Sequence, residues 1–123
     1  MAPGYSSTTG IHISMSRFQS VTYSEKTQLV SVGAGCLWDQ VYTELAPLGR
    51  NVVGGAASQG VGVAGWLLGG GYSLKSNRYG LGIDNIVEFE IVLPNGSVLS
   101  VTTQEDEDLF NALRVSLPIS LVR

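Results

Sequence analysis

Residues 52–71, VVGGAASQGVGVAGWLLGGG, hold eight of the chain's sixteen glycines, namely Gly54, Gly55, Gly60, Gly62, Gly65, Gly69, Gly70 and Gly71. Gly49 stands just before them, and no charged residue falls between Arg50 and Lys75. Glycine loses more conformational entropy on folding than any other residue and brings no side chain to pack, so this density needs a reason. One reason is close approach. A backbone without Cβ atoms lies flat against a large ligand, and N–H groups aimed outward from turns favour an anion such as a phosphate or pyrophosphate. The alternative is a glycine-rich turn between packed elements.

The rest of the chain sets bounds on that choice. A length of 123 residues predicts at most one domain, and 44% hydrophobic against 14% charged residues places it among globular proteins. The net charge of −3 and the scattered basic residues argue against a nucleic-acid surface. A lone cysteine, Cys36, forbids an internal disulfide. The opening MAPGYSSTTG has neither a basic nor an apolar leader segment, and residues 61–68 are too short and glycine-rich to span a bilayer. Neither a membrane nor a nucleic acid is an expected partner.

Outward from the glycines, the periodicities predict the elements. Ile11, Ile13 and Met15 alternate with His12, Ser14 and Ser16, the period of a half-buried strand, with His12 on its polar face. Strands follow at 20–23 and 28–32, separated by a polar turn and ended by Gly33. Leu37, Val41 and Leu45 fall on one helical stripe flanked by the packing residues Trp38 and Tyr42, with Asp39 in the first turn and Pro47 and Gly49 as stops. A short strand at 51–53 is expected to feed the glycines, and residues 72–85 read as a polar loop. From residue 86, Val87, Phe89, Ile91 and Leu93 share one strand face, while Glu88 and Glu90 share the solvated one. Pro94-Asn95-Gly96 turns the chain into a return strand at 97–103, a β-hairpin. Asn95-Gly96-Ser97 is also an N-glycosylation sequon, relevant only in a secreted protein. Thr103 and the acids 105–108 predict a helix start, with Leu109, Phe110 and Leu113 inward. The acidic run reads as a solvated, dipole-stabilising face and not as a metal site.

Gly60, Gly62 and Gly65 match G-x-G-x-x-G, and Asp84 follows at about the spacing of a ribose-binding acid in a dinucleotide fold. The context fails, because no strand precedes Gly60 and the glycines at 69–71, 80 and 82 leave no room for a crossover helix. No G-x-x-x-x-G-K-[ST], serine elbow or zinc-ligand set is present. The chain carries a cradle and no catalytic constellation of its own.

Several blocks together resemble a known family. PGYSSTTGIHISMSRF, VGAGCLWDQVYTELAPLGRN, NVVGGAASQGVGVAGWLLGGGYS, NRYGLGIDNIVEFEIVLPNGSV and DEDLFNALR are similar, in order and spacing over residues 3–114, to FAD-linked oxidases with a PCMH-type flavin domain. The fungal berberine-bridge-enzyme-like oxidoreductases are the nearest in pattern. The resemblance implies an α+β fold of antiparallel strands with flanking helices: a partial PCMH-type FAD-binding domain over 1–114, mostly its second subdomain, with 115–123 a non-family tail. It implies FAD as cofactor, contacted by Val53, Gly54, Gly55, Ser58, Gly60, Val61, Gly62, Val63 and Gly65, with the glycines at 69–71 and Tyr72 in the next turn. The complete protein is then expected to be secreted. Its expected activity is oxidation of a small alcohol, sugar or alkaloid-like substrate, by hydride transfer to flavin and reoxidation by oxygen. A non-catalytic truncated gene product is the other expectation.

Three departures qualify the resemblance. Doubly attached members carry a cysteine where Ser58 stands, and a hydroxyl cannot form that thioether. The flavin-attaching histidine of a GGH motif belongs upstream of the PGYSSTTG block, and His12 does not replace it. Where the family continues into a glycine-rich, NFG-containing segment, this chain reads VSLPISLVR, as expected of read-through or a frameshift.

Overall fold

The computed structural model describes residues 7–55 and 60–115. Among the described residues, two antiparallel hairpins and four α-helices make an α+β architecture. In the first hairpin, β1 (Val21–Ser24) pairs with β2 (Leu29–Val32), with Val21 opposite Val32 and Tyr23 opposite Val30. Past the strands the ladder continues loosely, through Gly33 N–H to the Ser20 carbonyl at 2.9 Å and Gly35 N–H to the Phe18 carbonyl at 2.8 Å.

α1 (Trp38–Leu45) follows from a run of good spacing and a usable first turn. The Gln40 side chain accepts the Leu37 N–H at 2.8 Å, satisfying one donor at the helix start, and Asp39 adds its carboxylate there. Trp38, Val41 and Leu45 form the buried stripe, so the inward residue of the first turn is Trp38 and not Leu37. Pro47 does not end the chain's coiling at once. A 3-10 turn, Ala46–Leu48, carries it near its start, where a proline forfeits no needed N–H, and left-handed Gly49 (φ 63°) ends it.

Cys36, Trp38, Val41, Leu45 and Val63 make the main core, covered by Val21, Val30 and Val32 of the first hairpin and by Trp66 and Leu67. The last two belong to α2 (Val63–Leu68). A short α3 (Ser76–Tyr79) and a 3-10 turn (Gly82–Asn85) lead to β3 (Glu88–Val92) and β4 (Val98–Thr102). This second hairpin pairs Phe89 with Val101 and Ile91 with Leu99, around a turn in which Gly96 has φ 84°. α4 (Glu107–Val115) packs on β4, with Phe110 buried and its ring 5.5 Å from that of Phe89.

Several expectations need correction. Residues 11–15 form no strand. Ile11 and Ile13 are 92% and 77% exposed, and no described strand pairs with them, so alternation alone has no ladder to join. Residues 51–53 are likewise not a strand; no described strand pairs with them, and the Val52 carbonyl accepts the Lys75 ammonium at 3.4 Å. Val87 is 53% exposed and stands outside β3, so the inward row of that strand starts at Phe89. The polar loop at 72–85 contains α3 and a 3-10 turn. The final helix starts two residues later than its first acid, because Asp106 adopts φ 60° while the Thr102 hydroxyl accepts the N–H groups of Gln104 and Glu105. Of the tail, only Val115 lies among the described residues, where it extends α4; the rest of 115–123 lies outside them.

Candidate functional site

The glycine stretch is gripped by α1 from both sides. Beyond the loop, residues 61–63 lie antiparallel to 36–38: Trp38 N–H donates to the Val61 carbonyl at 3.1 Å, and Val63 N–H donates to the Cys36 carbonyl at 2.9 Å. Before it, the Tyr42 hydroxyl donates to the Gly55 carbonyl at 2.7 Å. Tyr42 stacks on Trp38 (centroids 5.9 Å apart), which meets Trp66 edge to face at 4.9 Å. Trp38 and Tyr42 stand against Gly54 and Gly55, and Trp66 against Gly71 and Gly82.

The glycines divide into two kinds. At Gly54 an added Cβ would lie 2.5 Å from the Tyr42 hydroxyl and 2.6 Å from the Trp38 ring; at Gly55 it would lie 2.7 Å from the same ring. Both are buried, and the fold itself demands glycine there. Gly71 and Gly82 stand against Trp66 in the same way. Gly60, Gly62 and Gly65 differ: all three are exposed, and no described atom lies within 4 Å of a Cβ built on any of them. Gly60 has φ 93° and so needs glycine conformationally. Gly62 (φ −71°, ψ 139°) does not, and Gly65 sits inside α2, where glycine costs about 1 kcal/mol relative to alanine. Nothing among the described residues accounts for bare backbone at 62 and 65. It fits a flat cofactor lying against this face.

The remaining residues singled out from the sequence fall as follows. Val61 is half-buried on the core, and Val63 is buried in it with its N–H committed to Cys36, so its side chain faces away from the open glycine face. Val53 is half-buried and, with Val63, borders an open groove of about 560 Å³ between the first hairpin and α2. Gly69 to Gly71 form a turn, Gly70 and Gly71 with positive φ. Ser58 lies outside the described residues.

Cys36 is fully buried, and burial raises its thiol pKa from the ordinary 9.0 despite a lowering backbone hydrogen bond from Gly33. It offers no thiolate to a ligand. Asp84 is not a ribose acid either: it accepts the Leu81 N–H at 2.9 Å and pairs with Arg114 at 3.1 Å. His12 is exposed, as is Asn95 at the hairpin tip, where the Ser97 hydroxyl donates to its side-chain oxygen at 2.7 Å. Among the described residues no cluster of three metal-binding side chains occurs and no helix is long and apolar enough to cross a membrane. Sequence reasoning missed α2 and the aromatic rings packed against Gly54, Gly55, Gly71 and Gly82. The signal for the latter was Trp38, Tyr42 and Trp66 standing near glycine pairs.

An α+β domain with exposed glycines at 60, 62 and 65, flanked by glycines packed on aromatic rings, fits a cofactor-binding scaffold. The chain belongs to the FAD-binding-domain family, which matches residues 1–102, in its PCMH-type, berberine-bridge-enzyme-like branch, and FAD is its cofactor. Among relatives, it is 42% identical over 113 residues to the FAD-dependent monooxygenase FUP4 of Fusarium proliferatum, covering 91% of this chain and 22% of that protein. The structure of glucooligosaccharide oxidase from Acremonium strictum, described with 6-S-cysteinyl, 8α-N1-histidyl FAD, superposes with a TM-score of 0.77 at 31% identity (84% of this chain, 22% of that one). Xylooligosaccharide oxidase from Myceliophthora thermophila C1 gives 0.75 at 34% identity (81% and 21%). The chain spans about a fifth of the length of the curated relatives it matches.

Proposed function

We propose that this chain is the glycine-lined, FAD-holding part of an oxidoreductase that acts on a small alcohol, sugar or alkaloid-like substrate. The observation that carries it is the bare face at Gly62 and Gly65, where neither backbone conformation nor packing among the described residues requires glycine. When bound, FAD supplies hydride acceptance and the return of electrons to oxygen. The chain's own residues bind and orient. Backbone at Gly60, Val61, Gly62 and Gly65 approaches the cofactor, with Ser58 in the same loop; Gly54 and Gly55 let the loop seat on Trp38; Val53 and Val63 hold its flanks. The FAD-binding unit runs over residues 1–114. Oligosaccharide oxidases among the structural relatives support the sugar reading of the substrate. Their double flavin attachment does not carry over in full, since the one cysteine here is Cys36, buried in the core. The small share of each relative that is covered favours a second reading for the isolated chain, a non-catalytic product without stable cofactor binding.

A Gly62→Val substitution in the complete gene product tests the proposal. The expected result is loss of the flavin absorbance band with far-ultraviolet circular dichroism retained, because the added side chain has open space within the chain but stands where the cofactor lies. Full flavin occupancy in that variant would place Gly62 away from the cofactor.

A further inference from the structure

Of the chain's five asparagines, only Asn95 is followed by a residue other than proline and then by serine or threonine. It stands at the tip of the second hairpin, where residues 94–98 are all exposed. Local bonds fix that tip: Leu93 N–H donates to the Ser97 carbonyl at 2.9 Å, and Gly96 N–H donates to the Leu93 carbonyl at 2.8 Å. The Ser97 N–H and hydroxyl both donate to Asn95 Oδ1, at 3.0 and 2.7 Å. The carboxamide oxygen is thereby engaged, while its Nδ2 has no acceptor among the described residues. A Cβ built on Gly96 meets no described atom within 4 Å, so the tip leaves room for a large substituent. The strands below it add a second observation. On the outer face Glu88 pairs with Thr102, Glu90 with Ser100, and Val92 with Val98. The first two pairs are polar; the one next to the tip is apolar, with Val92 66% and Val98 59% exposed. A bulky hydrated group on Asn95 would stand beside the one apolar pair of an otherwise polar face.

We infer that Asn95 is an N-glycosylation site: during secretion of the complete gene product, its carboxamide receives an oligosaccharide from a lipid-pyrophosphate-linked donor. A bond forms between Asn95 Nδ2 and the sugar C1 as the bond from C1 to the pyrophosphate oxygen breaks. The lipid pyrophosphate leaves with the electron pair, the amide proton passes to a base of the transferase, and nothing is oxidised or reduced. Secretion of the complete protein is part of this inference; the FAD reading of the glycine face is not.

The test is to express the complete gene product in a filamentous fungus, collect the culture filtrate and treat it with peptide N-glycosidase in heavy-oxygen water. Tryptic cleavage after Arg78 and Arg114 then yields one peptide, residues 79–114, that holds Asn95. Enzymatic release of a glycan leaves an aspartate carrying heavy oxygen at position 95, which fragmentation of the peptide locates. The label is expected at Asn95 in the parent and in Ser97→Thr, which keeps the hydroxyl, and is expected to be lost in Ser97→Ala. Secreted parent with an unlabelled Asn95 overturns the inference, as does a parent that stays inside the cell. Aspartate at 95 without heavy oxygen overturns it as well, since it would show a free carboxamide lost by spontaneous cyclisation at the Asn95-Gly96 pair. Flavin content is not read in any arm, so failure here leaves the cofactor reading untouched.

Discussion

Gly54 and Gly62 stand eight positions apart on the two flanks of one loop, yet substitution should separate them sharply. Alanine at 54 would press on both the Tyr42 hydroxyl and the Trp38 ring. Overpacking of a fitted contact costs about 1–3 kcal/mol, so Gly54→Ala should lower the urea midpoint of the complete protein, whereas alanine at Gly62 should leave it unchanged. Equal effects at the two positions would contradict the division of the glycines. Cys36 and Tyr42 both have raised pKa values, from 9.0 and 10.0, because burial disfavours their charged forms. The unfolded chain therefore releases these protons first. Stability from this source is complete below the ordinary thiol pKa and declines as pH rises through the folded values. Urea midpoints should be level from pH 6 to about 8 and fall above pH 9, less steeply in Cys36→Ala.

Among the elements, the 3-10 turn at Gly82–Asn85 and α4 are joined by Asp84 and Arg114, with one carboxylate oxygen on the Leu81 N–H and the other on the guanidinium. Both side chains are substantially solvated, and exposed pairs contribute about 0.2–1 kcal/mol. Asp84→Asn should then cost less than about 1 kcal/mol in denaturant melts and leave flavin content untouched. Loss of flavin in that variant would revive the dinucleotide-fingerprint reading. The second hairpin was legible from residues alone: Phe89, Ile91 and Leu93 alternate with Glu88 and Glu90, and Asn95-Gly96 supplies the turn that reverses the chain. The run at residues 11–15 shows the limit of such reasoning. Its alternation is as regular, but a strand exists only where a second backbone accepts its hydrogen bonds, and none of the described strands does. α2 was missed for the converse reason. Its glycine and apolar residues carry weak local preference, and it forms because Val63 is buried in the core that α1 builds, with Trp66 and Leu67 half-buried against it.

For the molecule as a whole, a bare glycine face open to solvent is half of a binding site. A large cofactor needs most of its surface enclosed to be held. The isolated 123-residue chain is therefore expected to hold FAD weakly or not at all, and gel filtration in excess FAD should give a protein peak without stoichiometric flavin. Co-elution of one flavin per chain would show that these residues suffice. The sequence by itself determined the glycine density, the second hairpin with its turn, the inward Val41 and Leu45 of α1, the missing thiol at Ser58 and, through the order of its blocks, the family. Those are local or pairwise properties, written in neighbouring residues. Only the tertiary structure decided which glycines serve the fold and which face outward. That distinction depends on what lies across from each missing Cβ, whether Trp38 and Tyr42 at Gly54 and Gly55 or open space at Gly62 and Gly65, and such neighbours come from elsewhere in the chain.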